Sequence, residues 1–395
     1  MKLKAVILEN FRGYRECTPI PLADMTAFIG RNDAGKSTIL EALDIFFEGS
    51  TKIDQGDANT RGDAGNVKIS VVFSSLPDEL ILDAGAQTTL ANEFLLNSEG
   101  DLEITKTYDC RKKTVPCRIV ATALHPTAKE VSGLLQKTNT DLKKIVKAAG
   151  LEGQCQLNNN PSMRQALYEA ADDLALGETE VPLKDGGAKD VWESLKKRFP
   201  VYALFKSDRA SSDQDPEVQN PMKLAIQSAL AGLTGQLNDI ADQVQAVAEA
   251  TANRTIDELK KSYPDLELAS VLKPVFRDPK WDSVFKLDLE SDDQVPLNKR
   301  GSGIRRLILL SFFQAEAKRK KEEKARDAAS RVPIVYAIEE PETSQHPDSQ
   351  HRIIEAFKEI SRNGDQILLT THVPGLAGLI DTESLRFIVS RAEQN

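Results

Sequence analysis

Long apolar runs are absent from this sequence. No stretch approaches the roughly 18 consecutive apolar residues that a membrane-spanning helix needs. The first residues, MKLKAVILENFRGY, include a short apolar segment but lack the small-residue cleavage site of a signal peptide, so they predict a strand. We therefore expect a cytoplasmic protein with no membrane partner.

Cysteine and histidine are also scarce, with four of each in 395 residues. Neither set has the spacing of metal ligands, which disfavours a zinc-binding domain. Cys17, Cys110, Cys117 and Cys155 are expected to be reduced thiols, as is usual in the cytoplasm.

Positive charge is in deficit, and the formal net charge is −9. The net negative charge of the chain repels DNA, so any contact with nucleic acid requires a local basic patch. The best candidate is the segment KRKKEEKARDAASR at residues 318–331 together with Arg305 and Arg306. A solvated helix end is the alternative interpretation of that segment.

The most specific motif is a glycine-rich loop, GRNDAGKS at residues 30–37, which fits the phosphate-binding pattern G-x-x-x-x-G-K-[ST]. An apolar strand pattern precedes it and apolar residues at helical spacing follow it, which disfavours a chance glycine-rich turn. We expect Lys36 to reach the β- and γ-phosphates and the Ser37 hydroxyl to ligate Mg²⁺. The candidate nucleotide-binding residues of this segment are Gly30, Asn32, Gly35, Lys36, Ser37 and Thr38.

Two adjacent carboxylates, Glu339 and Glu340, end an apolar strand pattern at residues 334–338. Hydrolysis of a phosphoanhydride needs one acid that holds the metal and a second that polarises the attacking water. Glu339 is the predicted metal ligand and Glu340 the predicted general base. The alternative is a strand that ends in solvated acids.

A further apolar strand pattern, in DQILLTTHVPG at residues 365–375, leads to His372. Ligands of open α/β sheets bind at the carboxyl ends of parallel strands, so this histidine could contact a γ-phosphate or position the water. A surface histidine on a loop is the alternative.

Before the acidic strand, RGSG precedes a helical pattern, with Ser302 and Gly303 at its head. Free amides and a hydroxyl at a helix N-terminus form an anion site. Because the chain already has one phosphate loop, this second site could serve the nucleotide bound by another copy of the protein. An ordinary helix N-cap is the alternative.

The order of these motifs resembles that of the ABC-type ATPases, in which two heads enclose two ATP molecules. The segments ILENFRGY, IGRNDAGKSTILEAL, GSGIRRLILLSFF, AIEEPETSQHP and LLTTHVPGL look most like those of the OLD (overcoming lysogenization defect) ATPases in the SMC/RecF branch. That group includes the heads of the anti-phage systems Gabija, Septu and PARIS. The resemblance covers roughly residues 1–125 and 280–390.

The resemblance implies an α/β fold: an ABC-type P-loop ATPase head with a mixed sheet flanked by helices, an antiparallel β subdomain and a helical insertion. It implies an N-terminal lobe at residues 1–125, a helical insertion or dimerisation arm at 126–275 and a C-terminal lobe at 276–395. ATP and Mg²⁺ are the implied cofactors. A homodimer, or a higher even oligomer, is the implied assembly.

By motif position, the resemblance makes His372 the switch histidine and Ser302–Gly303 the signature that acts on the nucleotide of the other copy. Arg12, in NFRGY, matches a position near the nucleotide. The signature differs from the Leu-Ser-Gly-Gly-Gln of transporters, which argues against a transport ATPase. No glutamine loop can be assigned.

Full OLD enzymes follow the ATPase with a TOPRIM nuclease, and the residues after His372 are too few for one. We therefore expect any TOPRIM or HNH-type nuclease to lie in a further segment or in a partner chain.

The segment between the motifs is less specific. Residues 67–125 predict strands and hairpins, residues from about 127 predict helices, and residues 199–213 predict a core strand followed by a polar loop. A heptad seam further along predicts a helix that packs on its own domain or against another subunit. Its members are Ile226, Leu230, Leu233, Leu237, Ile240, Val244 and Val247.

The predicted function is an ATP-hydrolysing, dimer-forming head in DNA-directed defence or DNA maintenance, whose closure on ATP gates a nuclease. One alternative is a RecF-like repair ATPase that recognises DNA and has no nuclease. A second alternative is a nucleotide-sensing scaffold that binds ATP tightly, turns it over rarely and holds a toxic partner inactive.

Overall fold

The chain builds two large β-sheets of different construction, one antiparallel and one parallel. The computed structural model describes residues 1–83, 86–206, 226, 229–230, 233–262, 273–274, 279, 281–285, 311–315, 333–343 and 347–389. The strands are β1 (Lys2–Glu9), β2 (Thr18–Pro21), β3 (Met25–Ile29), β4 (Val67–Ser74), β5 (Leu80–Asp83), β6 (Ala86–Thr88), β7 (Leu102–Tyr108), β8 (Cys117–Pro126), β9 (Leu176–Pro182), β10 (Val201–Phe205), β11 (Ile334–Glu339), β12 (Gln366–Thr371) and β13 (Leu385–Phe387).

In the sequence, helices lie between these strands. They are α1 (Lys36–Phe46), α2 (Asn139–Ala148), α3 (Asn160–Glu169), α4 (Ala188–Lys196), α5 (Thr234–Ser262), α6 (Trp281–Val284), α7 (Pro347–Arg362) and α8 (Pro374–Ala377). Within the described ranges, none of the helices has both the length and the apolar character that crossing a membrane requires. The predicted α/β class is confirmed.

The antiparallel sheet has the strand order β2-β1-β4-β7-β8-β9. In β4 every second side chain, at Val67, Ile69, Val71 and Phe73, is fully buried, so one face of the sheet contributes to the core. The strands β4, β7 and β8 pair in sequence order. They confirm the strands and hairpins predicted for residues 67–125.

The edge strand β9 contradicts the helical pattern predicted from residue 127 onward. Its sequence, LGETEVP, contains glycine, proline and two glutamates, and Val181 is its only fully buried residue. Register pairs between β8 and β9, such as Ala121 with Val181, attach it to the sheet. An edge strand packs on few neighbours, so its sequence needs little of the apolar alternation that reveals a central strand.

The parallel sheet has the order β10-β11-β12-β3-β13. Its central strands are almost entirely buried, as expected for strands covered on both faces. The strand β10 confirms the core strand predicted at the start of residues 199–213. Since these strands run in one direction, the carboxyl ends of β3, β11 and β12 lie at one edge of the sheet.

Helix α1 joins the two sheets, since it contacts β1 and β4 of one and β10 and β12 of the other. Ile39, Leu40, Leu43 and Phe46 on this helix are buried at the spacing predicted from the sequence. The hydroxyl of Tyr202, on β10, donates a hydrogen bond of 2.7 Å to the Leu40 carbonyl. This packing fixes the helix whose first turn follows the glycine-rich loop.

The chain divides into two compact units. The first contains the described residues up to 206 and those from 311 onward, so residues 126–206, predicted as part of the insertion, belong to it. Within that unit, α2 and α3 pack around a separate apolar cluster that includes Val146, Met163 and Leu167. The division into two lobes and an insertion stays a prediction.

The second unit contains α5, which confirms a long helix over most of the predicted heptad seam. On this helix Ile240, Val244 and Val247 are 49%, 53% and 70% exposed. Within the described residues, these three side chains therefore remain largely accessible. Packing of the seam against another subunit stays a prediction.

Candidate functional site

Strand register brings the three predicted motifs of the parallel sheet to one edge. Glu339, the last residue of β11, pairs with Thr370 on β12, and Thr371 pairs with Ile29 on β3. The residues that follow these strands are Glu340, His372 and Gly30. A phosphate loop, an acidic strand end and a histidine are thus neighbours although they lie far apart in the chain.

The glycine-rich loop has a backbone that only glycine accommodates at two positions. Gly30 has φ of 154°, and a Cβ there would lie 2.4 Å from the Ile388 carbonyl oxygen. Gly35 has φ of 101°, and a Cβ there would lie 3.2 Å from the Tyr14 hydroxyl oxygen. Gly35 also precedes α1 without a side-chain cap hydrogen bond, so the N-cap residue leaves the first amides of the helix available. Free amides at a helix N-terminus are a phosphate site.

Lys36 begins α1, and its ammonium group turns back over the loop. Its Nζ donates hydrogen bonds to the carbonyl oxygens of Gly30 at 2.9 Å and Arg31 at 2.7 Å. Burial lowers the Lys36 pKa, while the negative charges of Glu340 and Glu342 act in the opposite direction. The cation is therefore held between the loop and the acidic strand end, where a β- or γ-phosphate would bind.

The carboxylate of Glu340 and the imidazole of His372 are in direct contact. Glu340 Oε1 lies 3.1 Å from His372 Nδ1, and the Thr343 hydroxyl lies 3.4 Å from Glu340 Oε2. Glu340 has φ of 42°, in the left-handed region, and its amide donates to the Thr370 carbonyl at 3.0 Å. This uncommon backbone at the end of β11 directs the side chain towards the end of β12.

Glu339 and Ser37, the predicted metal ligands, lie at the end of β11 and in the first turn of α1, respectively. Among the described residues, no three or more His, Cys, Asp or Glu side chains form a cluster that could hold a metal ion. A Mg²⁺ held by one hydroxyl, one carboxylate and phosphate oxygens needs no such cluster. Ser302 and Gly303 lie outside the described residues.

Arg12, predicted near the nucleotide, is held by two carboxylates. Its Nε donates to Asp57 Oδ1 at 2.8 Å, and Nη1 pairs with Glu41 on the second turn of α1. Lys206 pairs with the other Glu41 oxygen at 3.0 Å. Burial alone would raise the pKa of Glu41, but the hydrogen bonds from Arg12 and Lys206 lower it. These ion pairs tie the N-terminal segment and the end of β10 to α1.

Two side chains at the site were not predicted from the sequence. Tyr14 donates a hydrogen bond of 3.1 Å to the Gly35 carbonyl. Glu342, which is 3% exposed, accepts one of 2.6 Å from the Thr371 hydroxyl. In the sequence, the third carboxylate of the segment EEPE could have indicated Glu342 as a site residue. The sequence does not indicate the contact of Tyr14 with Gly35, because that contact depends on the fold.

The site fits a nucleoside triphosphate with Mg²⁺. The uncapped start of α1 and the Lys36 ammonium offer positive charge for phosphates. Glu340 and His372 lie at the neighbouring strand ends, where a water would attack the terminal phosphate.

Comparisons with known proteins agree with this geometry. The family model described as AAA ATPase domain matches residues 1–377. OLD nuclease of Thermus scotoductus is 23% identical over 399 residues, which cover 98% of this chain and 62% of that protein. The chain therefore spans less than two thirds of the length of this curated relative.

Solved structures of SMC heads are also similar to the chain. The SMC head domain from Thermotoga maritima is 13% identical, with a TM-score of 0.38 over 98% of this chain and 94% of that one. An Smc head with an extended coiled coil, derived from Pyrococcus furiosus, is 12% identical, with a TM-score of 0.46 over the same shares.

The family match spans the glycine-rich loop, the acidic strand end and His372, which the fold brings to one edge of the sheet. The resemblance predicted from the motifs is confirmed. The chain belongs to the AAA ATPase domain family and is similar to an OLD nuclease over most of its length.

Proposed function

We propose that this chain is the ATP-hydrolysing head of a DNA-processing system and that two copies close around ATP. The observation that carries the proposal is the contact of 3.1 Å between Glu340 and His372, beside a phosphate loop with an uncapped helix N-terminus. A carboxylate oriented by an imidazole next to bound phosphates is suited to activating water.

The proposed roles follow from the positions of the side chains. The amides from Gly35 onward and the Lys36 ammonium bind the phosphates. Ser37 and Glu339 would hold Mg²⁺, which neutralises charge on the β- and γ-phosphates when it is bound. Glu340 would accept the proton of the attacking water, and His372, which contacts Glu340, would orient it beside the γ-phosphate.

Asn32 and Thr38 are proposed as further nucleotide contacts. Asn32 is exposed at the tip of the loop and Thr38 lies in the first turn of α1. Arg12 is proposed to act near the nucleotide through its ion pair with Glu41 on α1.

The second copy is proposed to complete the site. Ser302 and Gly303 would bind the γ-phosphate held by the other subunit, and hydrolysis would reopen the pair. A lone copy would then bind ATP but hydrolyse it poorly.

Coupling to a nuclease is proposed from the similarity to OLD nuclease. Closure of two heads would gate a TOPRIM or HNH-type nuclease in cis or in trans, acting on DNA in anti-phage defence. The relative is longer than the aligned region, which leaves room in such proteins for a further domain.

Phosphate release should be measured with and without DNA, and DNA cleavage should be measured with the product of the complete gene and of its neighbour. ATP turnover together with divalent-dependent cleavage would support the proposal. Turnover without cleavage would favour a RecF-like ATPase. Tight ATP binding with negligible turnover under every condition would favour the scaffold.

A further inference from the structure

We propose that Glu342 is a positioning residue of the hydrolytic centre, which fixes the turn around His372 through the Thr371 hydroxyl. This inference rests on the proposed ATP hydrolysis and concerns a residue to which the motifs gave no role. Glu342 follows Glu340 by two residues, and Thr371 directly precedes His372.

The carboxylate of Glu342 is buried but sparsely bonded. Its side chain is 2% exposed, Oε1 accepts the Thr371 hydroxyl at 2.6 Å, and Oε2 has no hydrogen-bond partner within the described part of the chain. A buried carboxylate with an unsatisfied oxygen is costly for the free energy of folding. A side chain that served packing alone would fill this space at lower cost, which points to a functional role for the carboxylate.

The Thr371 hydroxyl connects this carboxylate to the backbone beyond His372. Its Oγ1 donates to Glu342 and also accepts a hydrogen bond of 3.0 Å from the Val373 amide. The hydroxyl proton points to the Glu342 oxygen, which leaves an oxygen lone pair of Thr371 for the Val373 amide. Residues on both sides of His372 are therefore tied to one hydroxyl, whose orientation Glu342 sets.

The segment that carries Glu342 also carries Glu340, which contacts the His372 ring. Nδ1 lies 3.1 Å from Glu340 Oε1 and 3.9 Å from Glu342 Oε1. Glu340 thus meets the ring directly, while Glu342 is too far for a hydrogen bond to it and acts on the turn that carries it. Together the two carboxylates place the imidazole relative to the proposed general base.

The first test uses Thr371, because valine keeps its shape and serine keeps its hydroxyl. In the full chain with Mg²⁺, Thr371→Val and Glu342→Ala should each lower kcat by about tenfold or more. Equilibrium binding of ATP should not weaken by more than about threefold, since neither change removes positive charge from the phosphate site. Thr371→Ser should retain kcat close to that of the wild type.

The double variant Glu342→Ala/Thr371→Val should be no slower than the slower single variant, because both changes remove the same hydrogen bond. Asp365→Asn is the matched control. Its carboxylate is also buried but lies at the opposite end of the parallel sheet, where it accepts the Ile334 amide at 2.9 Å. This control should lower thermal stability and leave kcat unchanged.

A second readout does not depend on turnover. Hydrogen exchange at the Val373 amide should be faster in Glu342→Ala than in the nucleotide-free wild type, while exchange in the centre of β12 stays the same. Unchanged exchange at Val373, an unchanged kcat in both single variants, or additive losses in the double variant would overturn the inference. Failure of the wild type itself to hydrolyse ATP would count against the proposed function, and the exchange measurement would still decide the role of Glu342.

Discussion

Ile29, the last residue of β3, is the register partner of Thr371, the last residue of β12. The phosphate loop begins directly after Ile29 and His372 directly after Thr371. Because β11 pairs with the other side of β12, Glu340 is held at the same edge. The parallel sheet therefore assembles the site from segments that lie more than three hundred residues apart.

Replacing Glu340 with glutamine should abolish ATP hydrolysis and preserve ATP binding. Glutamine keeps the size of the side chain but cannot accept a proton from water, and the phosphate site around Lys36 is left intact. We expect kcat to fall by at least about a hundredfold, with nucleotide-loaded protein accumulating as a closed dimer. Phosphate release and light scattering at saturating ATP measure the two effects. Turnover at the wild-type rate would show that the general base lies elsewhere.

Lys36→Ala should instead weaken binding itself. Its ammonium group is the cation that the structure holds against the loop carbonyls of Gly30 and Arg31. Titration of a fluorescent ATP analogue should show a loss of about tenfold or more in affinity. Lys52→Ala, which removes an exposed hydrogen bond to the Gly49 carbonyl, is the control and should bind like the wild type.

Gly35→Ala should damage the loop. Alanine would have to adopt φ of 101°, with its Cβ 3.2 Å from the Tyr14 hydroxyl oxygen. This costs about 1–2 kcal/mol of folding free energy or distorts the loop. Gly153→Ala is the control, because a Cβ at Gly153 meets nothing within 4 Å. We expect weaker ATP binding and a lower Tm for the first variant alone. Equal behaviour of the two variants would refute the geometry described for Gly35.

The Glu41 carboxylate should make stability depend on acid pH. Hydrogen bonds from Arg12 and Lys206 lower its pKa in the folded state despite burial. Its contribution to stability is therefore present above the ordinary carboxyl pKa and is lost as the pH falls through the lowered value. Between about pH 7 and pH 3, the Tm of Glu41→Gln should fall less than that of the wild type. Parallel curves would show that Glu41 does not carry this dependence.

Removing one partner of the ion pair between Glu93 and Arg164 should lower the free energy of unfolding. Both side chains are 2% exposed, and Arg164 donates two hydrogen bonds of 2.7 Å to the carboxylate. Glu93→Gln leaves a buried cation without its counter-charge, so unfolding in denaturant should show a loss of about 3–5 kcal/mol. Glu258→Gln, in a pair whose side chains are 69% and 70% exposed, should change stability little. A similar loss in both variants would contradict this account.

Much of the site could be predicted because its motifs are local. Gly30, Gly35 and Lys36 follow a strand and open a helix, and Glu340 and His372 each come directly after an apolar strand. Such signals lie within a few residues of one another and do not depend on the rest of the fold.

The remaining contacts depend on tertiary structure. Tyr14 meets Gly35, Arg12 meets Glu41 and Glu342 meets Thr371 only because strands and helices distant in sequence pack together. The edge strand β9 was missed because its surroundings require few apolar residues.

The most direct test of the proposal that two copies complete the site is the rate of ATP hydrolysis per protein chain as a function of protein concentration. The rate is measured with and without an excess of an inactive copy that retains Ser302. We expect a rate that rises with concentration as dimers form. A Lys36→Ala/Glu340→Gln partner should support this rate, since such a partner still offers its signature. A constant rate per chain from protein that stays monomeric at saturating ATP would contradict it.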